Sequence, residues 1–105
     1  MNVDNKLIAE FLGYETYEMN GVLNVEYSEN NIRTIQDTHY HIDWNWLMQV
    51  VEKIESLGVV VEIRENVCYI ETSLNDYYSE LEETKIQATY KAVVCFIKWY
   101  NEQPK

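Results

Sequence analysis

At 105 residues and 47% apolar content, the chain is one domain's worth of sequence, long enough to build a single core without disulfides. Asp and Glu number 18 against 8 Lys and Arg, a net charge of −10. That balance argues against direct nucleic-acid binding and against anionic membrane surfaces, both of which need Lys and Arg to meet phosphate.

Leu7, Ile8, Phe11 and Leu12 recur at i, i+1, i+4 and i+5, so residues 5–12 are expected to form a short helix stopped by Gly13. Residues 14–38 read as irregular and acidic, with Glu15, Glu18, Glu26 and Glu29 ahead of Arg33. Within them, Val22 to Tyr27 is a candidate edge strand following the Asn20-Gly21 turn signal.

His39, His41 and Asp43 spell H-x-H-x-D. Residues two apart share a face in extended backbone, and two imidazoles with a carboxylate suit zinc. The competing reading is a loop entering a helix, with Asp43 accepting the free N–H groups of the first turn. It is preferred because no further ligands cluster nearby, and no metal or cofactor is expected.

The second helix should run from Asp43 to Leu57 on the stripe Trp46, Leu47, Val50, Val51, Ile54 and Leu57, with Gly58 as its left-handed stop. Residues 59–64 and 67–72 are matched β-branched runs separated by Glu65-Asn66, a hairpin in which Asn66 is expected to take positive φ. Ser73 to Thr84 reads as a polar loop. The last helix should span Lys85 to Glu102, capped by Thr84 and ended by Pro104. Ile86, Tyr90, Val93, Val94, Ile97 and Tyr100 would form its buried face. This order implies a single α+β domain of about three helices and a small antiparallel sheet.

Three stretches carry a family resemblance: Asn5 to Gly13 (NKLIAEFLG), Tyr40 to Glu55 (YHIDWNWLMQVVEKIE) and Tyr90 to Asn101 (YKAVVCFIKWYN). Together they resemble small phage and prophage proteins of the Bacteroides–Flavobacterium group and are similar to the phage ABA-sandwich domain. The resemblance spans nearly the whole chain. It implies a helix–sheet–helix sandwich and a mobile-element origin, and it carries over no catalytic residues.

Cys68 and Cys95 both sit in apolar runs, where burial makes a thiol inert. No basic-then-apolar leader opens the chain, and no apolar run reaches the roughly 20 residues of a membrane span, so a bacterial host's cytoplasm is the expected compartment. No phosphate-binding glycine loop, nucleophile elbow or Arg cluster occurs, and the chain is read as a non-enzyme. The segment Glu71, Asp76, Tyr77, Tyr78, Glu80, Glu82 and Glu83 combines carboxylates with tyrosines and lacks a base. It is the expected contact for a basic protein partner, because tyrosine gives rigid contact area and carboxylates pair with Arg and Lys. By analogy of size, charge and origin, the expected function is inhibition of a host defence effector, an RNA-guided one included (anti-CRISPR-like). A phage adaptor and a small nucleotide-binding module are the alternatives, and homodimerisation stays open.

Overall fold

The computed structural model describes residues 2–72, 76–78 and 81–103. Glu80, Pro104 and the remainder of the expected loop (residues 73–75 and 79) lie outside them.

The chain adopts the expected α+β arrangement of three helices and small antiparallel sheets. Helix α1 (Asn2–Phe11) begins three residues earlier than its apolar face suggested. It closes through Gly13 at φ +94°, with Gly13 N–H bonded to Glu10 O and Tyr14 N–H to Ala9 O, both 3.0 Å. This glycine termination turns the chain directly into the first strand.

The expected irregular stretch is instead a three-stranded meander: β1 (Glu15–Met19), β2 (Val22–Ser28) and β3 (Asn31–Thr34), in the order β1-β2-β3. Val22–Ser28 is therefore the central strand and not an edge. Asn20 (φ +54°) and Gly21 (φ +77°) both adopt positive φ, the conformation whose twist matches a two-residue hairpin. Residues 35–37 form one 3-10 turn, and Thr38 Oγ1 donates to Ile35 O at 2.6 Å as the chain leaves it.

Helix α2 (Trp44–Ser56) starts where Asp43 accepts from Asn45 N–H at 2.8 Å, and Gly58 follows it at φ +83°. β4 (Val60–Arg64) and β5 (Val67–Glu71) form the expected hairpin, but the positive φ falls on Glu65 (+50°) and not on Asn66. The polar loop also departs from expectation. Asp76–Tyr78 is a third strand, β6, pairing antiparallel with β5 in the order β4-β5-β6. Helix α3 (Lys85–Glu102) opens on a full capping box, Thr84 Oγ1 accepting from Gln87 N–H while Gln87 Oε1 accepts from Thr84 N–H.

The main core joins all three helices to one face of the second sheet. Leu47, Val50, Val51 and Ile54 of α2 and Val93, Phe96 and Ile97 of α3 meet Cys68 and Ile70 of β5. Val60, Glu62, Arg64, Tyr69 and Glu71 on the opposite face stay exposed. A smaller cluster of Ala9, Val25 and Ile35, with Tyr14, Leu23 and Tyr27 against it, seats the first sheet on α1. Cys95 corrects the sequence reading: it is exposed, because neighbours on a helix point about 100° apart and Val94 and Phe96 take the inward positions. Tyr100, expected in the core, is 37% exposed and lies at its edge against Phe11 and Phe96.

Candidate functional site

The residues singled out as a partner contact end up in different surroundings. Glu71 is exposed at the end of β5, and backbone register sets it opposite Asp76, with Tyr69 opposite Tyr78 and Ile70 opposite Tyr77. Glu82 is not free for a partner: its carboxylate meets Lys91 Nζ at 3.0 Å, and its N–H donates to Asn66 O. Glu83 is exposed, while its carbonyl accepts from Asn66 Nδ2 at 3.2 Å. Asn66 thus ties residues 82–83 back to the β4–β5 turn.

A more uniform acidic surface lies on the first sheet. Register places Glu15 opposite Glu26, Tyr17 opposite Asn24, Met19 opposite Val22, and Ile32 opposite Glu26 from the other side. Strand alternation puts these residues on one face. Among the described residues no Lys or Arg of the three strands shares that face, and Met19 (59%), Ile32 (46%) and Val22 (41%) are exposed on it. Like charges directly opposite each other are unfavourable in a sheet, so the Glu15–Glu26 pair is not there for stability.

The other side of the first sheet builds a cleft with α2. Arg33 on β3 holds its guanidinium over the Trp46 indole, 5.1 Å from the ring centroid. Trp46 is held in turn by Tyr40 at 5.1 Å, His39 at 5.3 Å and Tyr27 at 5.7 Å. Tyr27 also meets Tyr14 at 4.6 Å and shares a 2.9 Å hydroxyl hydrogen bond with Tyr40. Burial raises the pKa of both phenols, so each remains protonated and the Tyr27–Tyr40 bond persists. Tyr14, Tyr27, Ser28, Asn31, Arg33, Trp46 and Gln49 line an open cleft of about 390 Å³.

No family model, curated protein or solved structure matches this chain. The reading of its surfaces therefore rests on their chemistry.

The H-x-H-x-D residues diverge. His39 packs on Trp46, His41 Nδ1 accepts from Asn5 Nδ2 at 3.2 Å, and Asp43 caps α2. Among the described residues no group of three or more His, Cys, Asp or Glu is placed to hold a metal. His41 belongs to a polar network joining α1, residues 38–41 and α3. The buried Asn5 amide donates to Thr38 Oγ1 at 2.9 Å and accepts from the Tyr90 hydroxyl at 2.7 Å. Burial pushes the Cys68 thiol up to about 11, so it is no nucleophile at neutral pH.

Sequence reasoning missed both the acidic sheet face and the Arg33 cleft. The acidic face was hidden because residues 14–38 were read as irregular. One signal for the cleft was present: Arg33 is flanked by no other Lys or Arg between Lys6 and Lys53.

Proposed function

We propose that the chain is a non-enzymatic binding protein that presents an acidic face to a basic protein partner. The observation that carries this reading is the outer face of the first sheet, where Glu15 opposes Glu26 without a cation and exposed Met19, Val22 and Ile32 stand beside them. Apolar contact supplies binding energy, while carboxylates select Lys and Arg and speed encounter. A second copy is a poor occupant, because it would set the same carboxylates against each other.

The partner class we infer is a nucleic-acid-handling effector of host defence, RNA-guided ones included. Such proteins line their channels with Lys and Arg. The same class is what the sequence resemblance to phage and prophage proteins would imply. Inhibition then follows from occupying basic surface that nucleic acid would otherwise use, with no chemistry required of this chain.

The test is capture from nuclease-treated host lysate using the wild type and a Glu15→Lys/Glu26→Lys variant, over a salt series. The expected result is a basic protein that the wild type retains at low salt, releases as salt rises, and that the folded variant does not retain. Equal retention by both chains, insensitive to salt, overturns the acidic-face reading. Phage growth separates the roles: a benefit confined to defence-positive hosts supports inhibition, and a benefit on every host indicates an adaptor.

A further inference from the structure

We propose that the cleft between β3 and α2 is a binding site for a mononucleotide, one planar base carrying one phosphate. In a chain with 18 Asp and Glu, the residues lining this cleft include none, and they include one base, Arg33. Among the described residues Arg64, Lys91 and Lys98 each meet a carboxylate, whereas Arg33, like Lys6, Lys53 and Lys85, is in no ion pair; of these four only Arg33 lines the cleft. The guanidinium's only hydrogen bond among the described residues is a long one, Nη1 to Asp37 O at 3.5 Å. A guanidinium carries five N–H donors in a planar fork that matches a phosphate or carboxylate. Most of that fork is available to a ligand.

The second observation is rigidity. Trp46 is fixed by ring contacts with Tyr27, His39 and Tyr40, and Tyr27 by Tyr14 and by its hydroxyl bond to Tyr40. Arg33 is thereby held over a preset aromatic wall, so little ordering cost remains when a ligand arrives. Tyr14 and Tyr27 offer ring surface for a flat group. Ser28, Asn31 and Gln49 add hydroxyl and amide groups that both donate and accept, as the edge of a nucleobase requires.

The third observation is size. About 390 Å³ lies near the lower end of small-ligand sites, which holds one nucleotide and not two. A simple aromatic carboxylate would use Arg33 and the rings without drawing on the Asn31 and Gln49 amides at the rim. Of Asp37, the acid in contact with Arg33, only the carbonyl meets the guanidinium; its carboxylate accepts from Thr34 Oγ1 at 3.1 Å, and acidic side chains farther off than about 8 Å are largely screened at physiological salt. This site is on the opposite side of the first sheet from the acidic face, so the two readings stand or fall separately.

The test is calorimetric titration with the four ribonucleoside 5′-monophosphates, the matching nucleosides and inorganic phosphate, on the wild type and Arg33→Gln. At least one monophosphate should bind with Kd below about 1 mM, and Arg33→Gln should weaken it by about tenfold or more. The nucleoside alone and inorganic phosphate alone should each bind at least about tenfold more weakly than the monophosphate. The proposal is overturned if none of the four binds below about 1 mM, if Arg33→Gln binds as the wild type does, or if inorganic phosphate binds as tightly. Should Arg33→Gln fail to fold, Asn31→Ala and Gln49→Ala at the exposed rim replace it. Weaker binding in either supports the site, and unchanged binding in both rejects it.

Discussion

Asn5 and Tyr90 are 85 positions apart, and their 2.7 Å hydrogen bond joins the first helix to the last. Tyr90→Phe removes only the donor hydroxyl and leaves Asn5 Oδ1 without a partner at a residue 1% exposed. An orphaned buried acceptor costs about 1–3 kcal/mol. Asn5→Leu keeps the branched shape but removes the partner of three groups, the Tyr90 hydroxyl, His41 Nδ1 and Thr38 Oγ1, of which Thr38 keeps its own bond to Ile35 O, for about 2–4 kcal/mol. The double variant removes both ends of the main bond. Its loss should fall short of the sum of the single losses by about 1–2 kcal/mol. Each kcal/mol corresponds to roughly 4–8 °C in Tm for a domain near this size. Urea unfolding of the four proteins, with thermal melts in parallel, gives the cycle directly. Losses that add to within about 0.5 kcal/mol would show that the two residues do not act through this bond. The reasoning about the network would then be wrong.

Two further predictions follow from protonation. His41 accepts at Nδ1 from Asn5, and its pKa is lowered, first by burial and next by His39. The unfolded chain therefore binds the proton more readily, and stability should be full above pH 6.5 and fall as pH drops through 6.5 toward the lowered value. Urea midpoints for the wild type and His41→Gln check this. Asp4, Glu82, Tyr90 and Lys91 around the same cavity are common to both proteins, so a difference between the two profiles reports His41 itself. Identical profiles would remove His41 from the account. The two thiols should also separate: exposed Cys95 should react with a thiol reagent in the native protein, and buried Cys68, pushed up to about 11, only on unfolding. Two thiols reacting at one rate would contradict the placement of both.

What the sequence made legible was whatever local chemistry marks. Asp43, Gly58 and Thr84 are end signals that work through their own side chains or backbone, and the helices they bound lie within a residue of expectation. The first sheet was not legible because the outer face of β1 and β2 mixes Glu15, Asn24 and Glu26 with exposed Met19 and Val22. Glu-Thr-Tyr-Glu-Met shows no apolar alternation, and its pairing is decided by Val25 and Leu23 meeting α1. β6 is three residues long and exists through its partner β5, a tertiary effect that propensity does not report. Trp46 was counted on the core stripe of α2, where it does lie at the margin. Its second role beside Arg33 depends on β3 reaching that helix, which no spacing in the sequence discloses.

The first sheet also explains how an acidic chain keeps an arginine unneutralised. Register pairs Arg33 with Val25 and Ile32 with Glu26. Side chains alternate between faces along a strand, so one residue's difference sends Glu26 to the outer face and Arg33 to the inner one. Glu15, opposite Glu26, goes outward with it. The Glu15 and Glu26 carboxylates and the Arg33 guanidinium are thus on opposite faces of the sheet, although Glu26 and Arg33 sit on adjacent strands. A slip of one residue between β2 and β3 would bring Arg33 to the acidic face, where ion pairs would quench both surfaces. The irregularity between Glu26 and Ser28 falls at the end of β2, beyond the Asn24–Thr34 and Val25–Arg33 pairs, so the rows that set this segregation remain regular. Buried Val25 fixes the facing of β2, since turning it outward would expose its whole side chain at a cost of about 1.5–3 kcal/mol, and buried Ile35 just past β3 anchors that strand in the same cluster. The same packing that holds the sheet on α1 therefore keeps its two faces chemically distinct.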